Sequence, residues 1–298
     1  MSALKLPPFE YHEPTTVAEV TALLGEYGEE ARVLAGGVDL LPRMRAGTVR
    51  AGHVVNIRRV SGLEYARRVE TGGLEFGAMA TLHSLEKWPV LSAGYPALYS
   101  AIHQITSVQT KCMGTAVGNL CVATPASDVA PALAAYDAEL LVSGPEGERE
   151  IAMTDFYPDY GRTALRRGEL VIGVKLPPVS PGQGAAFLNL VRTHADIAKV
   201  TVTVCVRIED DLCKEARIAL GSVAPTMVRA RQAEAVLEGE RLTDGLMWQA
   251  AATASGEIRP ITDLRSTAEY RKEMVRVLVA RALKQATEHA KGKREVAP

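Results

Sequence analysis

The stretch Leu34-Ala35-Gly36-Gly37-Val38-Asp39-Leu40 decides how the chain is read. It follows a short apolar run, Ala31 to Ala35, and so places two glycines where a strand gives way to a loop. Without Cβ, glycine lets a backbone come close to a ligand. Consecutive amides in such a turn form an anion-binding concavity. By itself, though, a lone glycine motif is more often a tight strand-to-loop turn than a phosphate site. Upstream, Thr16-Val17-Ala18-Glu19 has the form of a capping box. Val17, Val20, Leu24 and Tyr27 then recur at helical spacing up to Gly28. Downstream, His53 to Ile57 reads as a second strand. Glycine-punctuated strands around a helix fit a small α/β lobe.

A second loop has the same character. Gly114-Thr115-Ala116-Val117-Gly118-Asn119-Leu120 is followed by Thr124-Pro125-Ala126-Ser127-Asp128. Small residues, a hydroxyl and an amide side chain suit close approach to phosphate or polyol oxygens. Asp128 also precedes an apolar helix, where a cap is expected. The whole of Lys111 to Asp128 reads as an unusual loop.

The middle of the chain is mixed. Leu74 to Met79 and Leu170 to Leu176 read as strands, and Leu98, Ile102 and Ile105 suggest a helix. Glu139 to Val142 and Arg149 to Ala152 read as a hairpin around Gly-Pro-Glu-Gly. Ser180 to Gly184 is the best linker. In the last third, Val200, Val202, Val204, Val206 and Ile208 alternate with Thr201, Thr203, Cys205 and Arg207, the pattern of a half-buried strand. Ala216 to Val223 can pair back on it. Helices are expected near Arg229–Glu238, Thr243–Ile258 and Ala268–His289, the last opened by Ser266-Thr267-Ala268-Glu269 as a second capping box. The tail after Lys291 is expected to fray.

Composition excludes several classes. The 298 residues carry 34 Lys+Arg against 35 Asp+Glu, so a globally basic nucleic-acid binder is not expected. No apolar run approaches the length of a membrane span. The start, MSALKLPPFEYHEP, lacks the charged and apolar regions of a signal peptide, which predicts a cytoplasmic protein. Cys112, Cys121, Cys205 and Cys213 form no C-x-x-C pair, and the six histidines are scattered, so no metal ligand is assigned. There is no Gly-Lys-Ser/Thr loop, no G-x-G-x-x-G, no G-x-S-x-G and no H-E-x-x-H. No catalytic residue is assigned either.

With both loops in view, the chain resembles the FAD-binding medium subunit of the molybdenum hydroxylases, the xanthine dehydrogenase and carbon monoxide dehydrogenase flavoprotein family. The likeness begins at Pro8-Phe9-Glu10-Tyr11-His12-Glu13-Pro14 and passes through Ala35 to Leu41, similar to the family's A-G-G-T-D-L-L. It continues through Met113 to Leu120, Pro125 to Asp128, Asp196 to Val200, Gly221 to Thr226 and Pro260 to Ser266. Any one segment is weak; all of them in order over nearly the whole chain are specific.

The resemblance implies an α+β fold. A two-lobed FAD-binding domain, vanillyl-alcohol-oxidase/PCMH-like, would combine a small α/β lobe (1–57) with a mixed α+β lobe (58–179). A C-terminal antiparallel sheet with a helical bundle (185–291) and a tail (292–298) would follow. It implies that Leu34, Ala35, Gly36, Gly37, Val38, Asp39 and Leu40 form one wall of an FAD diphosphate site. Thr115, Ala116, Val117, Gly118 and Asn119 would form the other. Asp128 would bind a ribityl or ribose hydroxyl, Ile105 and Ile172 would pack on the cofactor, and Asp196-Ile197 would lie near the flavin ring. Val117 stands where the family usually has Gly, a strained substitution if that position requires positive φ. Lys111-Cys112 stands where many members have Arg-Asn, and Leu188 replaces a Lys.

The implied activity is electron transfer. A large molybdopterin subunit would oxidise substrate, and two [2Fe-2S] clusters in a small subunit would pass electrons to FAD here and on to an external acceptor. A dimer of heterotrimers is the expected assembly. The alternatives are a stand-alone FAD-dependent oxidase or dehydrogenase, and a scaffold that has lost its cofactor.

Overall fold

The computed structural model describes residues 5–193 and 196–292. The fraying expected after Lys291 concerns residues that lie, beyond Gly292, outside the described ones. The first lobe contains strand β1 (Glu10–His12), helix α1 (Val17–Tyr27), strand β2 (Ala31–Leu34), helix α2 (Leu40–Arg45) and strand β3 (His53–Asn56). The strands form a parallel sheet in the order β1-β3-β2. Helix α1 starts as its sequence requires: the Thr16 side chain accepts from the Glu19 amide, and the Glu19 carboxylate reaches back to the cap. Gly28, at φ +53, ends it.

The second lobe holds β4 (Ala66–Arg68), β5 (Leu74–Gly77), α3 (Leu82–Glu86), α4 (Pro89–Gly94), α5 (Pro96–Gln104), α6 (Val108–Met113), α7 (Ala116–Cys121), α8 (Val129–Ala135), β6 (Glu139–Gly144), β7 (Gly147–Ala152) and β8 (Leu170–Leu176). Its sheet runs β4-β5-β8-β6-β7, with all neighbours antiparallel. Lys111 to Asp128 is not a continuous loop. Two six-residue helices, the first already begun at Val108, take up half of it, because the Ser107 and Thr115 hydroxyls each accept the amide three residues on.

The last part is the antiparallel sheet β9 (Gln183–Leu190), β10 (Val200–Glu209), β11 (Leu212–Gly221) and β12 (Val228–Arg229), ordered β12-β11-β10-β9. Helices α9 (Arg231–Leu237), α10 (Asp244–Gly256) and α11 (Ala268–Ala290) cover one face. Strand β10 departs from the half-buried expectation. Val200, Val202, Val204 and Val206 pack on the helices, while Thr201 and Thr203 on the other face are also fully buried. Cys205 on that second face joins the core of the second lobe. The sheet is therefore covered on both sides, and alternation in the sequence marks two interiors instead of core and water. The α11 cap also shifts: Thr267, not Ser266, accepts from the Tyr270 amide.

Polar contacts fasten the C-terminal sheet to the second lobe. The Ser222 amide donates to Pro125 O at 2.7 Å. Arg229 donates from Nη1 to Ala134 O at 3.0 Å and to Asp137 at 2.9 Å.

Candidate functional site

The parallel sheet of the first lobe delivers its glycine loop from the C-terminal end of β2. Leu34 ends that strand and Leu40 opens α2; both side chains pack with Leu41 on a small core of Met44, Ala51 and Val54. The loop between them is thus anchored at both ends by apolar burial. Gly37 has φ +75, a region that disfavours L side chains. Gly36 has a different constraint. A Cβ there would lie 2.0 Å from Met113 O and 2.9 Å from the Gly114 Cα. The two glycine loops are therefore pressed backbone to backbone. Val38 completes the contact, since a Cβ on Gly114 would come within 3.3 Å of its Cγ2.

The hydrogen bonds of the first loop are one-sided. Four of its carbonyls are engaged: Arg58 donates from Nε to Ala35 O at 3.0 Å and from Nη2 to Gly36 O at 3.2 Å. Gly37 O accepts from Leu41 N, and Asp39 O from Arg43 N. The Asp39 carboxylate pairs with Arg43 at 3.2 Å and does not cap α2. In contrast, the amides of Gly36, Gly37, Val38 and Asp39 have no acceptor among the described residues. Four successive donors beside occupied acceptors make a locally positive backbone surface.

The second loop is the start of α7. Thr115 is 2 % exposed and caps the helix by accepting from Gly118 N at 2.9 Å. Ala116 and Val117, the first helical residues, are buried. The bridge between Thr81 and Thr115 engages the Ala116 amide, whereas the Val117 amide has no acceptor among the described residues. Val117 has negative φ, so the strain that positive φ would have imposed is absent, and its side chain sits in the core of the second lobe. The Asn119 Oδ1 accepts from Ser127 Oγ.

Asp128 follows. Ser127, not Asp128, caps α8, with Ser127 Oγ accepting from Ala130 N at 3.0 Å. The Asp128 Oδ1 is buried without a hydrogen-bond partner among the described residues, and burial pushes the carboxyl up to about 7. An unpartnered buried carboxyl oxygen is costly and marks a place where a donor is wanted.

Ala35, Ile105 and Ile172 share a setting: each is a partly buried side chain on the rim of the second-lobe core. Asp196 and Ile197 lie on the connection from β9 to β10. Asp196 accepts from Arg192 Nε at 2.9 Å, and Ile197 is 51 % exposed. No hydrogen bond or ion pair among the described residues joins these two to the glycine loops. Arg58 and Ser127 were not singled out by sequence reasoning. Ser127 could have been found as the small hydroxyl before an apolar helix; Arg58 had no local signal, because its partners are more than twenty residues away.

The geometry has counterparts. The family model described as "FAD binding domain in molybdopterin dehydrogenase" matches residues 7–179, and "CO dehydrogenase flavoprotein C-terminal domain" matches 185–286. The carbon monoxide dehydrogenase medium chain of Afipia carboxidovorans is 34 % identical over 283 residues, covering 95 % of this chain and 98 % of its own. A solved carbon monoxide dehydrogenase of Hydrogenophaga pseudoflava superposes with a TM-score of 0.92 at 34 % identity, over 95 % of this chain and 98 % of that one. Quinoline 2-oxidoreductase of Pseudomonas putida 86 superposes at 0.88 with 27 % identity, over 97 % and 99 %. The chain belongs to the FAD-binding medium-subunit family of the molybdenum hydroxylases, and its relatives are oxidoreductase subunits.

Proposed function

We propose that the abutting loops hold the FAD diphosphate between them, largely through backbone amides. The observation that carries this is the run of acceptor-free amides from Gly36 to Asp39 in a loop pressed against the segment that leads into α7, where the Val117 amide is also without an acceptor. A dianionic group suits such donors. Thr115 keeps its hydroxyl proton for an oxygen of the ligand, and Asn119 keeps its Nδ2. Asp128 Oδ1 takes a ribityl or ribose hydroxyl. Ile105 and Ile172 provide apolar surface, and Asp196-Ile197 lies toward the flavin ring. When bound, FAD supplies a centre that accepts and releases electrons. The chain's own task is to orient that centre and to shield it, and no acid–base residue is required for it.

The place of the chain in a larger assembly is part of the same reading. Electrons arrive from [2Fe-2S] clusters of a small subunit, supplied by a large molybdopterin subunit, and leave to an external acceptor. The complex is a cytoplasmic dimer of heterotrimers. Support comes from the relatives, whose names mark medium chains. No helix among the described residues is long and apolar enough to cross a membrane. The same reading divides the chain into 1–57, 58–179 and 185–291 with a tail 292–298, and the grouping of the strands into three sheets supports it. Relatives named for carbon monoxide and quinoline share this scaffold, so the substrate is chosen in another subunit.

Two measurements test the reading. The purified chain should show flavin absorption bands after FAD is added. At native expression level it should co-purify with a molybdopterin subunit and an iron–sulfur subunit. A colourless chain rejects the flavin site; a yellow chain that travels alone rejects the assembly.

A further inference from the structure

We propose that Glu10, His12 and His53 form a binding site for a divalent late first-row metal ion of the zinc class, at the opposite end of the first-lobe sheet from the glycine loop. Glu10 and His53 are the first residues of β1 and β3, whereas the loop leaves the last residue of β2. The parallel register sets Glu10 opposite His53 and His12 opposite Val55, so all these side chains share one face. His12 Nε2 lies 3.1 Å from His53 Nδ1, and the Glu10 carboxylate lies 3.6 Å from the same Nδ1. One ligand atom from each residue falls within 4.8 Å of the others.

These separations fit coordination. Metal–ligand bonds of about 2.0–2.1 Å in a tetrahedron place neighbouring ligand atoms about 3.3–3.4 Å apart. Hydrogen bonding explains the cluster less completely: His53 Nδ1 carries at most one proton, yet both an imidazole nitrogen and a carboxylate approach it. Two histidines and a glutamate are an established zinc donor set that leaves a fourth position for water. The nitrogen pair is also held in place. The Tyr27 ring stacks on His53 at 3.6 Å between centroids and 8° between planes, and His12 stacks near Tyr27 at 5.4 Å. Glu10 is exposed and free to close on an ion. A bound ion would add a tie between the three-residue edge strand β1 and its neighbour, beside the short ladder and the Asn56 Nδ2 to Tyr11 Oη bond at 2.7 Å.

The test uses the tag-free full chain, stripped with chelator and titrated with Zn²⁺ by calorimetry. One equivalent should bind, and His12→Gln and His53→Gln should each weaken binding at least about tenfold, no less than the loss of a group that merely hydrogen-bonds to a ligand. Mg²⁺ should not compete, since it prefers oxygen ligands. His103→Gln is the control, at a cluster where Lys111 Nζ already holds Glu86 at 2.7 Å; its binding should equal wild type. Unaltered flavin content shows that each variant is folded. Should His53→Gln disturb the Tyr27 stack, the edge variant His12→Gln still decides, with Cu²⁺ spin resonance counting nitrogen donors: two in wild type, one in the variant. No stoichiometric Zn²⁺ binding, or binding equal in wild type and both histidine variants, overturns the site.

Discussion

Loop 34–40 and the start of α7 touch at Gly36 and Gly114, yet each owes its shape to different physics. The first is a true backbone turn. Gly36 has no room for Cβ, Gly37 has positive φ, and Arg58 holds the carbonyls. The second is a capped helix start. Its conformation is ordinary, the Thr115 hydroxyl takes up the Gly118 amide, the Val117 amide is left over as at any helix N-terminus, and the Val117 side chain is simply a core residue. The same letters in a motif therefore carry different weight. Glycine is obligatory where backbone meets backbone and replaceable where a helix begins.

Substitutions at four positions break or sharpen this contrast. Gly36→Ala has the largest expected effect, because its Cβ meets Met113 backbone and neither loop can yield alone. Flavin should be lost on purification, and urea unfolding should show a destabilisation of about 3 kcal/mol or more, in the range of severe core faults.

Asp128→Asn comes next, with about a tenfold loss of flavin affinity, on the scale of a hydrogen bond to a charged group. Its pH dependence is specific. The folded carboxyl titrates at about 7 against 3.8 when free, so the flavin-free fold binds the extra proton between those values. Stability of the flavin-free chain should therefore fall as pH rises from about 4 to about 7, and level off above. A ligand hydroxyl donating to the ionised form reverses the sign for binding: flavin affinity should rise through pH 7. The Asn variant should flatten both profiles, as thermal melts and flavin titrations at several pH values will show.

Arg58→Ala removes two bonds to loop carbonyls and should weaken flavin binding a few-fold, about 1 kcal/mol. Lys at this position should restore only part, since one ammonium cannot reproduce the guanidinium fork. Fluorescence titration with FAD measures both.

Val117→Gly, which brings in the family's usual residue, should leave flavin content unchanged. The fold should lose about 2–3 kcal/mol from the vacated core and the weakened helix. A gain in flavin affinity would show that the second loop needs glycine's conformations after all.

Much of this molecule was legible in order along the chain. Thr16 and Glu19 announce α1, Gly28 ends it, and the hairpin at Gly144–Gly147 follows from its turn residues. Both glycine loops could be recognised, as could Asp128 as a polar residue beside an apolar helix. What the strand pattern of β10 could not reveal was a second interior: Thr201 and Thr203 look like water-facing residues and are fully buried. The helical turn at α7 was hidden by small residues that suit loops equally.

Local signals determine elements because caps, turns and periodicity act between residues a few positions apart. That Gly36 must meet Met113, that Arg58 reaches back to Ala35, and that Glu10, His12 and His53 converge are contacts between distant segments. They depend on which faces the packed lobes bring together, and no local pattern encodes that, so only the tertiary structure decided them.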